Sequence, residues 1–109
     1  MTDIKILDDL LKNIHDRKND SVETSYTAKL FSKGLPKIAQ KVGEEATEIV
    51  IAALVESKED CINEIADFMY HVSVLMAVKN ISWQHIADKL HERMSMSGLE
   101  EKAARKFKN

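Results

Sequence analysis

The stretch VGEEATEIVIAALVESKEDCINEIADFMYHVSVLMAV, Val42–Val78, decides the fold of this 109-residue chain. Its apolar residues recur at helical spacing rather than in alternation, which predicts two consecutive helices. Ser57 divides them, because its side chain is able to cap a new helix together with Asp60 three residues later. Two helices joined by so tight a turn pack antiparallel. We therefore expect a helical hairpin at the centre of the protein.

The rest of the chain continues the helical pattern, and no strand-like alternation is sustained anywhere. The apolar residues from Ile4 to Ile14 predict a first amphipathic helix, followed by a loop over Asp16–Ser25. Residues 26–31 predict a short helix that ends near Gly34. We expect three further helices over residues 36–56, 58–79 and 83–94, and a charged tail over residues 99–109 after Ser97-Gly98. The prediction is one all-α domain, residues 1–109, with four to five helices.

Length, charge and cysteine content narrow the class of protein. A chain of this size buries only about 60% of its unfolded surface, so we expect a homo-oligomer to cover more. Because 16 basic and 18 acidic residues leave a net charge of −2, neither nucleic acid nor an anionic membrane is expected as the main partner. The single Cys61 forms no internal disulfide and is expected to be an inert, buried thiol. The longest strictly apolar run, Ile49–Val55, is too short to cross a bilayer, and no signal peptide begins the chain, so we expect a cytoplasmic protein.

Acidic residues recur beside the apolar face of both helices in the central hairpin. At 100° per residue, Glu45 and Glu48 lie one turn apart at the edge of the apolar sector, whereas Glu44 lies nearer solvent. The following helix is apolar all round, which predicts that it is buried, and yet it contains Glu64 and Asp67. An isolated buried carboxylate costs several kcal/mol, and two adjacent ones repel as well. Either cationic side chains or a metal ion must compensate for these charges.

The two carboxylate pairs lie at similar distances from the turn. Glu45 and Glu48 come 9 to 12 positions before Ser57, and Glu64 and Asp67 come 7 to 10 positions after it. In an antiparallel hairpin the pairs face each other, and four carboxylates form an all-oxygen site that favours Mg²⁺ or Mn²⁺. A di-iron bundle would show Glu-x-x-His pairs instead. The alternative is that the acidic residues of the first helix form only a solvated face, which leaves the second pair unexplained.

These residues also resemble a known superfamily. Glu-Glu-x-x-Glu, followed after a gap of 15 residues by Glu-x-x-Asp, is similar to the motif of the all-α nucleoside triphosphate pyrophosphatases, the MazG-like and dimeric dUTPase-like enzymes. Within it, SYTAKLFSKGLPKIAQKVGEEATE, residues 25–48, resembles the phosphoribosyl-ATP pyrophosphatases of histidine biosynthesis. The tail SGLEEKAARK is similar to the C-terminus of that family, and the resemblance covers nearly all of the chain from Ser25. Thr47 stands where we expect an aliphatic residue, but it lies on the far side of the helix from Glu45.

The resemblance implies a MazG-like bundle completed by homodimerisation. It also implies that phosphoribosyl-ATP is hydrolysed to phosphoribosyl-AMP and pyrophosphate, with attack of water at the α–β phosphate linkage assisted by Mg²⁺, or by Mn²⁺. The candidate metal ligands are Glu45, Glu48, Glu64 and Asp67. A carboxylate that does not bind metal, such as Glu44 or Glu48, would orient or deprotonate the water. The sequence does not assign this base, so Glu44, Glu45 and Glu48 all stay catalytic candidates.

An anionic triphosphate also requires cations, and four lysines recur at four-residue spacing: Lys29, Lys33, Lys37 and Lys41. Of these, Lys29, Lys37 and Lys41 are the predicted substrate-binding residues. Lys41 lies one turn before Glu45, where it either contacts phosphate or forms an ion pair with Glu45. By the resemblance, the hydroxyls of Ser25, Tyr26 and Thr27 contact ribose or phosphate. His71, four residues after Asp67, is expected to be a satisfied core histidine or a hydrogen-bond partner of Asp67.

Two other functions compete with this hypothesis. Another all-α pyrophosphatase, acting on other ribo- or deoxyribonucleoside triphosphates, would share the metal site and differ in the base pocket. The SYTAKLF block, residues 25–31, argues against it. A helical interaction module would use the acidic patch to bind a basic partner. That function leaves Glu64 and Asp67 without an explanation inside an apolar helix.

Overall fold

The computed structural model describes residues 2–95 and 98–106, and these residues form helices and no strand. The helices are α1 Ile6–Arg17, α2 Tyr26–Lys33, α3 Leu35–Val55, α4 Lys58–Lys79, α5 Trp83–Met94 and α6 Gly98–Lys106. The predicted all-α fold class is confirmed. The described residues contain one helix more than the four to five predicted, because the C-terminal tail is helical as well.

Local sequence signals set the boundaries of the two long helices. Gly34 ends α2 and precedes α3 with a φ of 85°, a left-handed conformation that a residue with a side chain would adopt only with strain. Pro36 follows in the first turn of α3, where a missing N–H costs nothing. At the start of α4, the Ser57 hydroxyl accepts from the Asp60 amide at 3.1 Å, and the Asp60 carboxylate accepts from the Ser57 amide at 3.3 Å. Asn80, in the left-handed region, ends α4.

Two boundaries differ from the prediction. Helix α1 continues to Arg17, so Asp16 belongs to the helix and not to the following loop. The charged tail forms α6 from Gly98 to Lys106 instead of an irregular segment. Its residues after Gly98 are mostly strong helix formers with no further glycine or proline, and helix propensity therefore favours this outcome. Ser97, the other half of the predicted break, lies outside the described residues.

The hydrophobic core lies where α1, α2 and α3 meet the C-terminal half of α4. Ile14, Ile38 and Val74 are completely buried there, one each from α1, α3 and α4. Leu30 of α2 belongs to the same cluster, and Trp83 packs against its edge at the start of α5. The α3–α4 hairpin is the centre of this arrangement, because α1 and α2 both pack against it.

The structure corrects the expectation that α4 is buried along its whole length. Its buried residues all lie between His71 and Ala77. Ile62 and Ile65, in the N-terminal half, keep 49% and 44% of their surface exposed. The physical reason is that α1 and α2 cover only the other end of the hairpin, because they are too short to reach the end at the turn. Cys61 lies in this open half and is therefore only partly buried.

Helix α4 also has the length and apolar composition of a membrane span, the one such helix among the described residues. The core helix of a globular protein passes the same test. The C-terminal half of α4 lies in the core, and its N-terminal half contains Glu64 and Asp67, which lie close to a carboxylate of α3. These features make α4 weak evidence for a membrane span.

The capping box between α3 and α4 leads to a testable prediction. Ser57→Ala removes the hydroxyl that accepts from the Asp60 amide, and we expect the free energy of unfolding to fall by about 1 kcal/mol. Urea unfolding, followed by circular dichroism, measures the change. Thr47→Ala is the matched control, since its exposed hydroxyl donates to the Gly43 carbonyl within α3 and caps nothing. An equal loss of stability in both variants would contradict a specific role for the cap.

Candidate active site

Three carboxylates from the two long helices meet on one side of the hairpin. Glu45 of α3 and Glu64 and Asp67 of α4 each place a carboxylate oxygen within 4.8 Å of the other two. Glu45 and Glu64 are partly buried, and Asp67 is exposed. The structure therefore brings together three of the four predicted metal ligands. We call these three residues the acidic cluster.

The hairpin explains why these carboxylates meet. Glu45 lies twelve residues before Ser57 and Asp67 lies ten residues after it, so similar lengths of helix separate each from the turn. Both helices rise 1.5 Å per residue, and equal lengths in an antiparallel pair end at the same height. The three-residue spacing from Glu64 to Asp67 keeps both on the face of α4 that meets α3. The similar distances from the turn therefore bring the three carboxylates together in space.

Burial and the neighbouring carboxylates both affect the pKa of Glu64. Partial burial is the largest cause that raises the pKa of Glu64 above the ordinary glutamate value of 4.5. Negative charges on its neighbours raise the pKa further, in the order Glu48, Asp67, Glu45 and Glu56. Glu48 is not one of the three residues in the cluster, but of these four neighbours its charge raises the pKa of Glu64 the most. Glu48 therefore lies beside the cluster, on the face expected from its position in α3.

This donor set suits a hard divalent cation. All of its ligand atoms are carboxylate oxygens, and neither histidine nor cysteine contributes to the described group. Oxygen ligands of this kind favour Mg²⁺, Mn²⁺ or Ca²⁺ over softer metals. A cation would also remove the repulsion that raises the pKa of Glu64. The residues present fit the metal site predicted from the sequence.

Glu44 lies on a different side of α3 and has other partners. The Gln40 side-chain amide donates to its carboxylate at 2.8 Å, and the Lys41 ammonium lies 3.4 Å from it. These two hydrogen bonds, with Gln40 the larger cause, hold the pKa of Glu44 below its usual value. Lys41 also lies 4.0 Å from Glu45, so the ion pair considered in the sequence analysis is present. The hydrogen bond to Glu44 is the main cause of the raised pKa of Lys41.

A pocket of about 260 Å³ lies between α2 and the first half of α3, next to the Lys41–Glu44 pair. Its lining contains four lysines, one glutamate, one tyrosine and one leucine: Lys29, Lys33, Lys37, Lys41, Glu44, Tyr26 and Leu30. We call it the lysine pocket. Four of the predicted substrate-binding residues line it, namely Tyr26, Lys29, Lys37 and Lys41. Lys33 was not among those predictions, because the break at Gly34 hid whether lysines on two helices face the same space.

His71 connects the acidic cluster to the lysine pocket. Its Nδ1 lies 2.8 Å from the backbone carbonyl of Asp67, which is only able to accept, so Nδ1 carries the hydrogen. In the neutral ring, Nε2 then accepts from the Tyr26 hydroxyl at 3.1 Å. His71 is 7% exposed, so both expectations hold: it is a satisfied core histidine, and its partner is Asp67, through the carbonyl instead of the carboxylate.

The other two predicted hydroxyls have structural partners. Ser25 is buried, and its hydroxyl caps α2 by accepting from the Ala28 amide at 3.1 Å. The Thr27 hydroxyl shares a hydrogen bond with that of Tyr70 in α4. Burial is the largest cause of the raised pKa of Tyr70, a residue that the sequence pattern did not single out. These contacts hold α2 against α4, and a direct contact of Ser25 or Thr27 with substrate stays a prediction.

Comparison with known proteins assigns these features to one family. The family described as "Phosphoribosyl-ATP pyrophosphohydrolase" matches residues 7–94. A phosphoribosyl-ATP pyrophosphatase of Clostridium acetobutylicum is 51% identical over 89 residues, 82% of this chain and 81% of the relative. One from Clostridium novyi is 40% identical over 109 residues, which covers 100% and 99% of the two chains. The histidine biosynthesis bifunctional protein HisIE of Campylobacter jejuni is 53% identical over 91 residues, 84% of this chain and 44% of the relative.

The raised pKa of Glu64 predicts how pH changes the stability of the metal-free protein. Well below pH 4.5 the residue is protonated both folded and unfolded, but as pH rises the unfolded chain ionises first, and the folded state loses stability. Glu64→Gln lacks this ionisation. In excess chelator we therefore expect it to melt above wild type at pH 8, with a smaller difference at pH 4.

Thermal melting at several pH values measures the effect. Glu23→Gln is the control, because this exposed residue lies between α1 and α2 and outside the acidic cluster. The same pH-dependent gain in both variants, or none in Glu64→Gln, would show that the cluster is not a site of repulsion.

Proposed function

The chain belongs to the phosphoribosyl-ATP pyrophosphohydrolase family, and we propose that it hydrolyses phosphoribosyl-ATP to phosphoribosyl-AMP and pyrophosphate. The resemblance seen in the sequence is thereby confirmed at the level of the family. Membership favours an enzyme over an interaction module, and this substrate over other nucleoside triphosphates. The observation that carries the proposal is the pairing of an acidic cluster with a lysine pocket on α3. The reaction would be an early step of L-histidine biosynthesis.

The acidic cluster is the proposed metal site. Glu45, Glu64 and Asp67 would bind Mg²⁺, or Mn²⁺, through the oxygens that lie within 4.8 Å of one another. Glu48, the fourth ligand predicted from the sequence, lies outside this group. When bound, such an ion neutralises charge on the triphosphate and lowers the pKa of water. The chain's own contribution is to hold three carboxylates together although they repel. The raised pKa of Glu64 supports this assignment, because burial and the neighbouring negative charges both disfavour its charged form, which a bound cation would stabilise.

The proposed base is Glu48. Glu44 was an equal candidate in the sequence, but two hydrogen bonds stabilise its charged form and lower its pKa, which makes it a weaker base. Glu48 has the strongest effect of the neighbouring charges on Glu64 and stays outside the three-residue cluster. From that position it would accept a proton from a water directed at the α–β linkage. Glu44 would instead hold Lys41 at the edge of the lysine pocket.

The turn end of the hairpin supports a homodimer. Large apolar side chains of α3 and α4 are exposed there: Val50 56%, Leu54 78%, Val55 77%, Ile62 49% and Ile65 44%. Large apolar side chains exposed together at one end of a helical hairpin mark an interaction site. We propose that a second copy of the chain covers it and completes the MazG-like bundle. We also propose that the enzyme is cytoplasmic and that it acts on a small molecule, not on nucleic acid or a membrane.

The homodimer predicts a defined effect of one substitution. Leu54→Lys places a charge in the exposed apolar surface, and we expect it to convert a dimer at micromolar concentration into a monomer. Sedimentation velocity measures the change. Ile4→Lys is the control, because Ile4 is also apolar and 79% exposed but lies outside the hairpin. A wild-type protein that sediments as a monomer would contradict the proposal.

The proposed function predicts Mg²⁺-dependent release of pyrophosphate from phosphoribosyl-ATP, faster than from ATP or dUTP. In Glu64→Gln we expect kcat/KM to fall more than about 100-fold, since losing even an outer partner of a metal ligand costs roughly 10–100-fold. Glu59→Gln changes an exposed carboxylate in the first turn of the same helix and should keep its activity. Near-normal turnover by folded Glu64→Gln would overturn the metal site. Absence of turnover in wild type with Mg²⁺ would overturn the function.

A further inference from the structure

The surface of this chain is larger than its mass requires. It exposes 8105 Å² at a mass of 12.4 kDa, whereas a folded monomer of that mass exposes about 6,100 Å². The radius of gyration is 16.3 Å, against about 13 Å for a compact domain of 109 residues. The excess of roughly 2,000 Å² is within the range that an obligate homodimer buries on each copy. Some elements of the chain therefore lack the neighbours that would cover them.

Helix α5 is one element without such a neighbour. None of its residues is buried, and Ile86, Leu90 and Met94 are 37%, 53% and 83% exposed. Residues four apart lie on the same side of a helix, so these three form an apolar stripe, which we call the α5 stripe. Trp83 packs against the edge of the core, but α5 has no substantial contact with another helix among residues 2–95 and 98–106. A helix of 12 residues is marginal in water without tertiary packing, so α5 requires a covering surface.

The apolar side chains at the turn of the hairpin are also uncovered. We call them the turn-end surface: Val50, Leu54, Val55, Ile62 and Ile65. Within one chain, α4 separates this surface from α5. Helix α4 has 22 residues and is about 33 Å long, whereas α5 has 12 residues and is about 18 Å long. Even folded back along α4, α5 would not reach the turn, so it is unable to cover Leu54 and Val55 of its own chain.

Charges beside the two surfaces are complementary. Three of the four charged residues at the turn are acidic: Glu56, Lys58, Glu59 and Asp60. At 100° per residue, the basic side chains Lys89 and Arg93 flank the α5 stripe, whereas the two carboxylates of α5 lie on the opposite side of the helix. The ion pair of Lys89 with Glu92 is exposed, and such a pair contributes too little to hold Lys89 away from another carboxylate. The charges therefore favour contact between the two surfaces over contact of either surface with its own copy.

We propose that, in the homodimer, the α5 stripe of each copy packs on the turn-end surface of the other. In a two-fold dimer with antiparallel hairpins, the end of one hairpin that carries α5 lies beside the turn of its partner, and the symmetry repeats the contact. This inference rests on the proposed homodimer and names the element of the second copy that covers the turn. One contact, made twice, covers both apolar surfaces.

Charge substitutions in the two surfaces test whether they meet. Leu54→Lys and Leu90→Glu should each raise the Kd of the dimer roughly 100-fold or more, since each places a charge in an apolar contact twice per dimer. In a mixed dimer, the introduced lysine of one copy faces the introduced glutamate of the other, and the second contact is that of wild type. We therefore expect sedimentation of the mixture to show a Kd within about tenfold of wild type, because opposite charges pair. Val22→Glu, at a similarly exposed site between α1 and α2, is the control.

A covalent link provides a second measurement that does not depend on charge. Cys61, adjacent to Ile62 in the turn-end surface, is the only cysteine of the chain. With a short bismaleimide, we expect Leu90→Cys to form covalent dimers between Cys61 of one copy and position 90 of the other. Leu90→Cys combined with Cys61→Ser should form far fewer. Wild type, which has Cys61 alone, is the control for links between like positions.

The outcomes distinguish this inference from the proposed function. A rescued mixture or a link to Cys61 supports the contact. Failure of both, or an unchanged Kd in Leu90→Glu, overturns it. A monomeric wild type overturns the homodimer and this inference together, and release of pyrophosphate from phosphoribosyl-ATP still decides the enzymatic function. A dimer that shows the contact but releases no pyrophosphate overturns the enzymatic function alone.

Discussion

The antiparallel contact between α3 and α4 is the constraint on which the rest of the structure depends. A two-residue connection and the capping box of Ser57 and Asp60 allow α4 to begin at once after α3 ends. With the turn defined, the height of every side chain follows from its distance along the helix. The acidic cluster forms because Glu45 and Asp67 are nearly equidistant from that turn. The shorter helices then pack on the end of the hairpin that is distant from the turn.

This packing divides the hairpin into two halves with different properties. The half that α1 and α2 cover holds the core residues Ile38 and Val74, and it provides most of the stability of a single chain. The half near the turn exposes apolar residues such as Leu54 and Ile62. The acidic cluster lies between these halves, so Glu45 and Glu64 are partly buried, whereas Asp67 is exposed. That position gives enough desolvation to raise the pKa of Glu64 while the site stays open to ligands.

Opposite charges lie next to each other along α3, and neither group is balanced within the described chain. The acidic cluster has an excess of negative charge, and the lysine pocket has an excess of positive charge. Lys41 lies between them, within 4.0 Å of both Glu44 and Glu45, and neutralises only part of each. A divalent cation and a polyanionic substrate together would balance both. His71 links the two sites, because its ring forms hydrogen bonds with both the Asp67 carbonyl and the Tyr26 hydroxyl.

The amino-acid sequence by itself determined the helical class, the boundaries of α3, α4 and α5 to within a residue or two, and the meeting of Glu45 with Glu64 and Asp67. These follow from periodicity, capping residues and equal distances from a turn, all of which are read directly along the sequence. Only the tertiary structure decided which half of α4 is covered and that lysines of two helices share a pocket. Such features depend on which elements pack against one another and at what angle across Gly34. A pattern along one helix contains no information about a neighbour that arrives from elsewhere in the chain.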